Sequence, residues 1–472
     1  MELQRIHNNI LDMLVDRGRM PLGVAAVAVT AAMLVAPAAA SAAAPWSAPV
    51  AISTVHGAIG PLGLTSTDTS TVAWWGWQDG FGAGAKFGDA FAARPAGAGL
   101  FGPERLQASD EPISLDVQGY GSGRLVALSQ ALGHGVVRER RPSPLDRVLV
   151  STGGPAGLRA PTTLARAHLI GATQLGVASG GRAIVAFASY DPKIAHRAIV
   201  SAATRSPSGR FSHAQVISGR GEAHGVVVAV GRRGDMVVAF VRNKKVVARV
   251  RRPGHGWGSI QTLATADGPT QWTLRAAVSD AGAVQVLWHR RFVSDRMDGA
   301  VLQTRGMGQG ASRWGASSTI EAIGASGPSA LVAIPGGFAV AYTVRDAAAG
   351  SLSTPRVSLV KPGANTRLDV AAASAGVRDV RLAWSDRHGL LATMVLLATA
   401  DANIGLGVGA FLAPRAVSFG PIETIAPTGN ITPGFGRDDV PLAVWSAPPD
   451  ATDPVVATAE ARAVVRTSAR TG

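Results

Sequence analysis

Residues 224–263 read HGVVVAVGRRGDMVVAFVRNKKVVARVRRPGHGWGSIQTL, and this stretch is the clearest copy of a unit that recurs along the chain. Its apolar runs predict four short strands, at 226–230, 236–241, 246–251 and a last one opening at Trp257. The breaks between them, Gly231-Arg232-Arg233-Gly234, Arg242-Asn243-Lys244 and 253–256, carry glycine, asparagine or proline, which supply the backbone angles of turns. A sheet this small cannot bury both of its faces alone, so it must stack on neighbours.

Working outward, the most regular mark is a second strand in which a small or aliphatic residue precedes a large apolar one. It occurs at Ala73-Trp74, Ala127-Leu128, Ala186-Phe187, Ala239-Phe240, Leu287-Trp288, Ala341-Tyr342, Ala383-Trp384 and Val444-Trp445, spaced by 42 to 61 residues. First strands opening at Leu115, Leu175, Leu274, Leu331 and Leu368, each followed by a glycine-containing turn, precede most copies. A closing strand follows, led by Phe101, Phe211, Trp257, Trp314 or Phe419. Copy two offers only Leu158 to Leu164, and copy six has no aromatic there, so its outer strand is expected to be missing or irregular.

Trp46-Ser-Ala-Pro-Val-Ala-Ile52 has the closing-strand form but stands before any opening strand, while the last copy ends without one. The two leftovers complement each other in a ring. The expected fold is therefore all-β: a single β-propeller of eight four-stranded blades, closed by the N-terminal strand in the last blade. Seven blades follow if copy one or copy six is not a sheet. A string of β-sandwiches would need linkers between domains, and no Pro/Ser-rich linker interrupts the chain.

Arg17 and Arg19 precede an apolar run at 22–36, then Pro37 and a string of small residues to Ala44. This is the form of a secretory signal peptide, with Ala40-Ser41-Ala42 as the cleavage signal. The division expected is a signal peptide at 1–44 and a propeller at 45–472. The mature protein is expected to be secreted or at the cell surface, monomeric, and free of the membrane after cleavage. The chain has no cysteine, which removes thiol chemistry and cysteine-ligated zinc.

The formal charge is +14, and only five of the 45 basic residues are lysine. One reading is affinity for an anionic polymer; the other is compositional drift in a chain rich in Ala, Gly, Arg, Pro and Val. Copy four concentrates Arg232, Arg233, Arg242, Lys244, Lys245, Arg249, Arg251 and Arg252, opposed only by Asp235. Without interleaved aromatics, nucleic acid is not an expected partner. The ten histidines show no metal spacing, and no cofactor is expected.

In a propeller, the turns between second and third strands share a face with the links between blades. The candidate rim on that face comprises Asp79, Asp191, Arg242, Arg290, Arg291, Arg345, Asp386 and Arg387 from turns, with Asp110, Glu111, Glu222 and His224 from links. Arginines and carboxylates around one mouth could hold a sugar or support acid–base cleavage; equally, turns are polar because they are wet. Trp75 and Trp77, at period two, make either a sugar-stacking platform or interblade packing. The expected role is binding of an extracellular glycan, cell-envelope polymer or protein, with a glycosidase or polysaccharide lyase as the alternative.

The small–aromatic second strand and the Trp-led closing strand resemble secreted propellers of the sialidase-like, BNR-repeat class. That class carries an S-x-D-x-G-x-x-W box between third and fourth strands. The positions here are Ser206-Pro-Ser-Gly209-Arg-Phe211, Gly254-His-Gly256-Trp257 and Gly308-Gln-Gly310-Ala-Ser-Arg-Trp314, all without the Asp. Sialidases also need an arginine triad and a tyrosine nucleophile activated by a glutamate. The three tyrosines, Tyr120, Tyr190 and Tyr342, provide no match, so the resemblance implies a shape and a compartment but no catalytic residue.

Overall fold

The computed structural model describes residues 46–54, 58–79, 86–99, 101–108, 114–131, 145–167, 170–191, 197–219, 221–265, 270–292, 301–322, 325–346, 352–397, 405–426, 431–447 and 460–466. The signal-peptide reading at 1–44 lies outside them. From Trp46 onward the chain forms one unit of eight antiparallel sheets. Each first strand packs against the first strand of the next blade, and Ile431–Phe435 of blade eight packs against Ala58–Ser66 of blade one, completing the circle.

Blade four shows why the sequence folds this way. Ala223–Val230, Met236–Arg242, Lys245–Arg251 and Gln261–Thr265 pair in order. The Arg242↔Lys245 pair leaves a two-residue turn, Asn243-Lys244, with φ of 48° and 62°. Two successive positive angles match a type I′ turn, whose twist suits a hairpin. Trp257 does not open the outer strand; it forms an isolated bridge to Arg251, and the strand begins four residues later.

Alternate side chains of each second strand face the two neighbouring blades. Phe240 packs among residues of blade three that include Ile184 and Val200, whereas Val237, Ala239 and Val241 meet Val284, Val286 and Trp288 of blade five. Burying both faces in this way meets the requirement set by so small a sheet.

The expectations for copies six, seven and one are corrected. Copy six has a regular outer strand: Ala364–Asp369 pairs with Leu352–Lys361 through the tight Pro362-Gly363 turn. Leu368 therefore closes blade six rather than opening blade seven. In consequence Ala383-Trp384 belongs to the first strand of blade seven, Gly376–Ser385, and the second strand is Gly389–Leu397. In blade one, Trp75 rather than Trp74 faces the preceding blade, packing with Val444 and Ala463.

The ring closes as the leftover strands require. Val50–Ala51 pairs with Glu460–Val465, with Val50 opposite Ala463 and Ala51 opposite Arg462. Backbone bonds from Ser47 N to Val465 O and from Ile52 N to Ala461 O, both 2.8 Å, extend the seam. Glu423 of blade seven then accepts from Trp46 Nε1 at 2.8 Å and from Arg466 Nη2 at 2.7 Å.

Candidate functional site

The rim residues separate on inspection. Asp79, Asp191, Arg242, Arg290, Arg291 and Arg345 lie at or near the ends of second strands, and Glu222 and His224 lie, exposed, at the start of blade four. Strand direction brings these to one face. Asp110 and Glu111 lie outside the described residues, as does much of the turn and link backbone of that face. Asp386 and Arg387 do not belong there: they sit between the first and second strands of blade seven, on the opposite face. The small–aromatic pair placed them wrongly because it occurs in an inner strand.

Three polar groups near the predicted rim hold backbone. Asp89 accepts from Ser114 N at 2.8 Å and Ser114 Oγ at 2.7 Å, and burial pushes its carboxyl above the usual range despite those bonds. Asp146 accepts from Ile170 N at 2.9 Å, and His289 Nε2 lies 2.8 Å from Ala325 O. Each ties the end of a hairpin to the link into the next blade.

Trp75 and Trp77 are 0% and 4% exposed, so they pack between blades and form no stacking platform. Blade four's cationic cluster is also partly structural. Arg249 donates to Gly258 O at 2.7 Å and to Ile217 O of blade three at 3.2 Å. Arg305 repeats the arrangement one blade on, donating to Gly315 O at 2.5 Å and Thr262 O at 3.1 Å. Arg252 bonds Asp235 at 2.9 Å and Ala311 O at 3.1 Å. Arg232, Arg233, Lys244 and Lys245 remain exposed.

Tyr120 and Tyr342 serve packing as well. Arg205 donates to Tyr120 Oη at 2.6 Å and lies 4.6 Å over its ring, while Tyr342 Oη lies 3.2 Å from Ser358 Oγ.

Two cavities stand out. The first, about 740 Å³, lies between first strands and is lined by Thr65, Asp116, Gln118, Arg381 and Thr432 among others. Its side chains tie inner strands together: Gln118 donates to Leu175 O at 2.9 Å and accepts from Val177 N at 2.8 Å, and Arg381 reaches Thr432 Oγ1 at 2.6 Å. Burial pushes the Asp116 carboxyl up to about 6, against hydrogen bonds from the Gln118 amide and the Val117 backbone.

The second cavity, about 1400 Å³, opens on the face of the first-to-second and third-to-fourth turns. It runs from the wall between blades five and six, past Ile334, Phe338 and Val360, to Trp384 and Asp386 of blade seven and Asp439 of blade eight. Trp384 is half-buried, and its indole Nε1 donates to Asp386 Oδ1 at 3.0 Å, which fixes the ring. Asn365, Gln309, Lys361 and Asp280 add exposed polar groups. An aromatic face beside planar amides and carboxylates can stack on a sugar ring and accept or donate hydrogen bonds to its hydroxyls. Sequence reading missed this cavity because its lining comes from turns of four blades, and only Asp386 of its members carried a site expectation.

No family model and no curated protein matches the chain. Solved structures similar to it include the polysaccharide lyase Uly1, at 11% identity over 73% of this chain and 87% of that one, with a TM-score of 0.42. The NanB sialidase from Streptococcus pneumoniae shows 10% identity over 75% and 67%, with a TM-score of 0.37. The β-propeller domain of the Trilobed protease from Pyrococcus furiosus shows 10% identity over 78% and 94%, with a TM-score of 0.39. At these values the likenesses carry no argument about activity, and the chain is described by its own geometry as an eight-bladed β-propeller.

Proposed function

We propose that the protein is exported and that its propeller is a binding module for an extracellular saccharide, held in the large cleft across blades five to eight. The observation that carries the reading is Trp384: a half-buried indole, oriented by Asp386, in a cavity of about 1400 Å³ with an apolar wall and a polar rim. Open clefts with a few fixed polar groups on an apolar wall are the usual form of small-ligand sites.

The test is a glycan array probed with the protein, followed by calorimetry on the best ligand. Trp384→Ala is expected to weaken binding about tenfold or more, as for aromatic anchors generally, without lowering the thermal midpoint comparably. Binding to no glycan, or binding untouched by Trp384→Ala, removes the reading. Shortened or unsaturated products in the calorimeter cell would replace binding with cleavage.

A further inference from the structure

We infer that Gln285 is a specificity-determining acceptor in this cleft, and that the bound saccharide carries hydrogen-bond donors and no negative charge, as neutral and amino sugars do. The inference rests on the saccharide reading above and narrows it.

Gln285 lies in the second strand of blade five, Val284–Phe292, two residues before Leu287-Trp288. At the matching place blades three, four, six and eight carry Ile184, Val237, Ala339 and Leu442, all buried and aliphatic. A buried amide in such a position costs stability unless its polar atoms are satisfied. Half of this amide is satisfied within the fold. Gln285 Nε2 donates to Thr304 Oγ1, and that hydroxyl donates to Val286 O at 2.8 Å.

The other half points elsewhere. Gln285 is 6% exposed and lines the cleft, and no donor of the described residues reaches its Oε1. The oxygen lies over Gly306, 2.5 Å from where a Cβ on that residue would stand. Glycine there leaves room for the amide and opens its acceptor to the cavity, which Gly306 also lines.

Carboxylates outnumber cations in the lining by three to two. Asp280, Asp386 and Asp439 line the cleft, against Lys361 and an Arg305 already engaged by the carbonyls of Gly315 and Thr262. A chain of net charge +14 thus presents this cleft with more carboxylates than cations. Donors on a ligand, hydroxyl or ammonium, complete such a lining, whereas a carboxylate or sulfate would face like charge.

The experiment compares cellotetraose, chitosan tetraose and tetragalacturonate, by calorimetry, on the wild type, Gln285→Met and Gly306→Ala. The expected result is binding of the neutral or amino sugar and not of the uronate. Both substitutions should weaken it about tenfold, the loss of one well-placed hydrogen bond. Gln285→Met should keep or raise the thermal midpoint, because it removes a buried polar group. Tightest binding of tetragalacturonate, or unchanged affinity in both variants with a lowered midpoint, overturns the inference and leaves the saccharide reading standing. Binding of none of the three by the wild type overturns the inference, and the array then decides separately whether the saccharide reading survives.

Discussion

Asp116 shows how a single residue lining the cavity between first strands couples the fold to pH. Its carboxyl is held up to about 6 by burial, above the unfolded value near 3.8. Between those two values the folded state binds more protons than the unfolded one, so stability falls as pH rises from about 4 to 6. The full shift corresponds to about 3 kcal/mol, and the residue is only half-buried beside that cavity, which reduces the effect to about 1–2 kcal/mol. Asp116→Asn is therefore expected to stabilise the protein at pH 7 by that amount and to flatten the slope, read from urea midpoints at pH 4, 5, 6 and 7. A variant less stable than wild type at pH 7 would show instead that the ionised carboxylate supports the fold. Neither Asp116 nor Gln285 was singled out in sequence, yet Gln285 left a trace: a lone amide in the apolar run Val284-Gln-Val-Leu-Trp288. Trp75 taught the converse, since an aromatic at the right period was core on both faces.

At the scale of elements, the hairpin and the arginine clip carry the blade. Lys244 adopts φ 62°, a left-handed angle that costs a non-glycine residue about 1 kcal/mol. Lys244→Gly should raise stability by about 0.5–1 kcal/mol in denaturant titration, and a loss would mean the lysine side chain contributes more than its backbone costs. The clips of Arg249 and Arg305 fasten the loop after each Trp to the preceding blade. Arg305→Met removes these bonds and should cost about 2–3 kcal/mol. Most blades were legible because strand, turn and strand alternate with the right residues at the breaks. Blade seven was not, for a physical reason. Its inner strand carries Leu382-Ala-Trp384 just before its last residue, which copies the second-strand mark, while its true second strand carries Thr393 and Met394 at its centre. The clips were illegible too, because an arginine bonded to carbonyls and an arginine in water have the same sequence signature. The cleft was hidden for a related reason: turns far apart in the chain meet only after eight sheets close.

The whole molecule depends on that closure. Blade eight takes its outer strand from the start of the described chain, and Arg94 of blade one grips Asp438 of blade eight with bonds of 2.8 and 2.9 Å. The guanidinium beside Asp438 holds its carboxyl down to about 2. A depressed carboxylate of this kind stabilises above its unfolded value, and that contribution is lost as pH falls below about 4 towards 2. The chain has no cysteine, so a pair introduced at Val50→Cys and Ala463→Cys reports on one contact alone. Directly opposed residues of antiparallel strands have the Cα spacing a disulfide needs. Oxidation followed by peptide mass spectrometry is the measurement. A single disulfide joining residues 50 and 463 within one molecule is the result predicted; free thiols, or cross-links only between molecules, would contradict the closed ring.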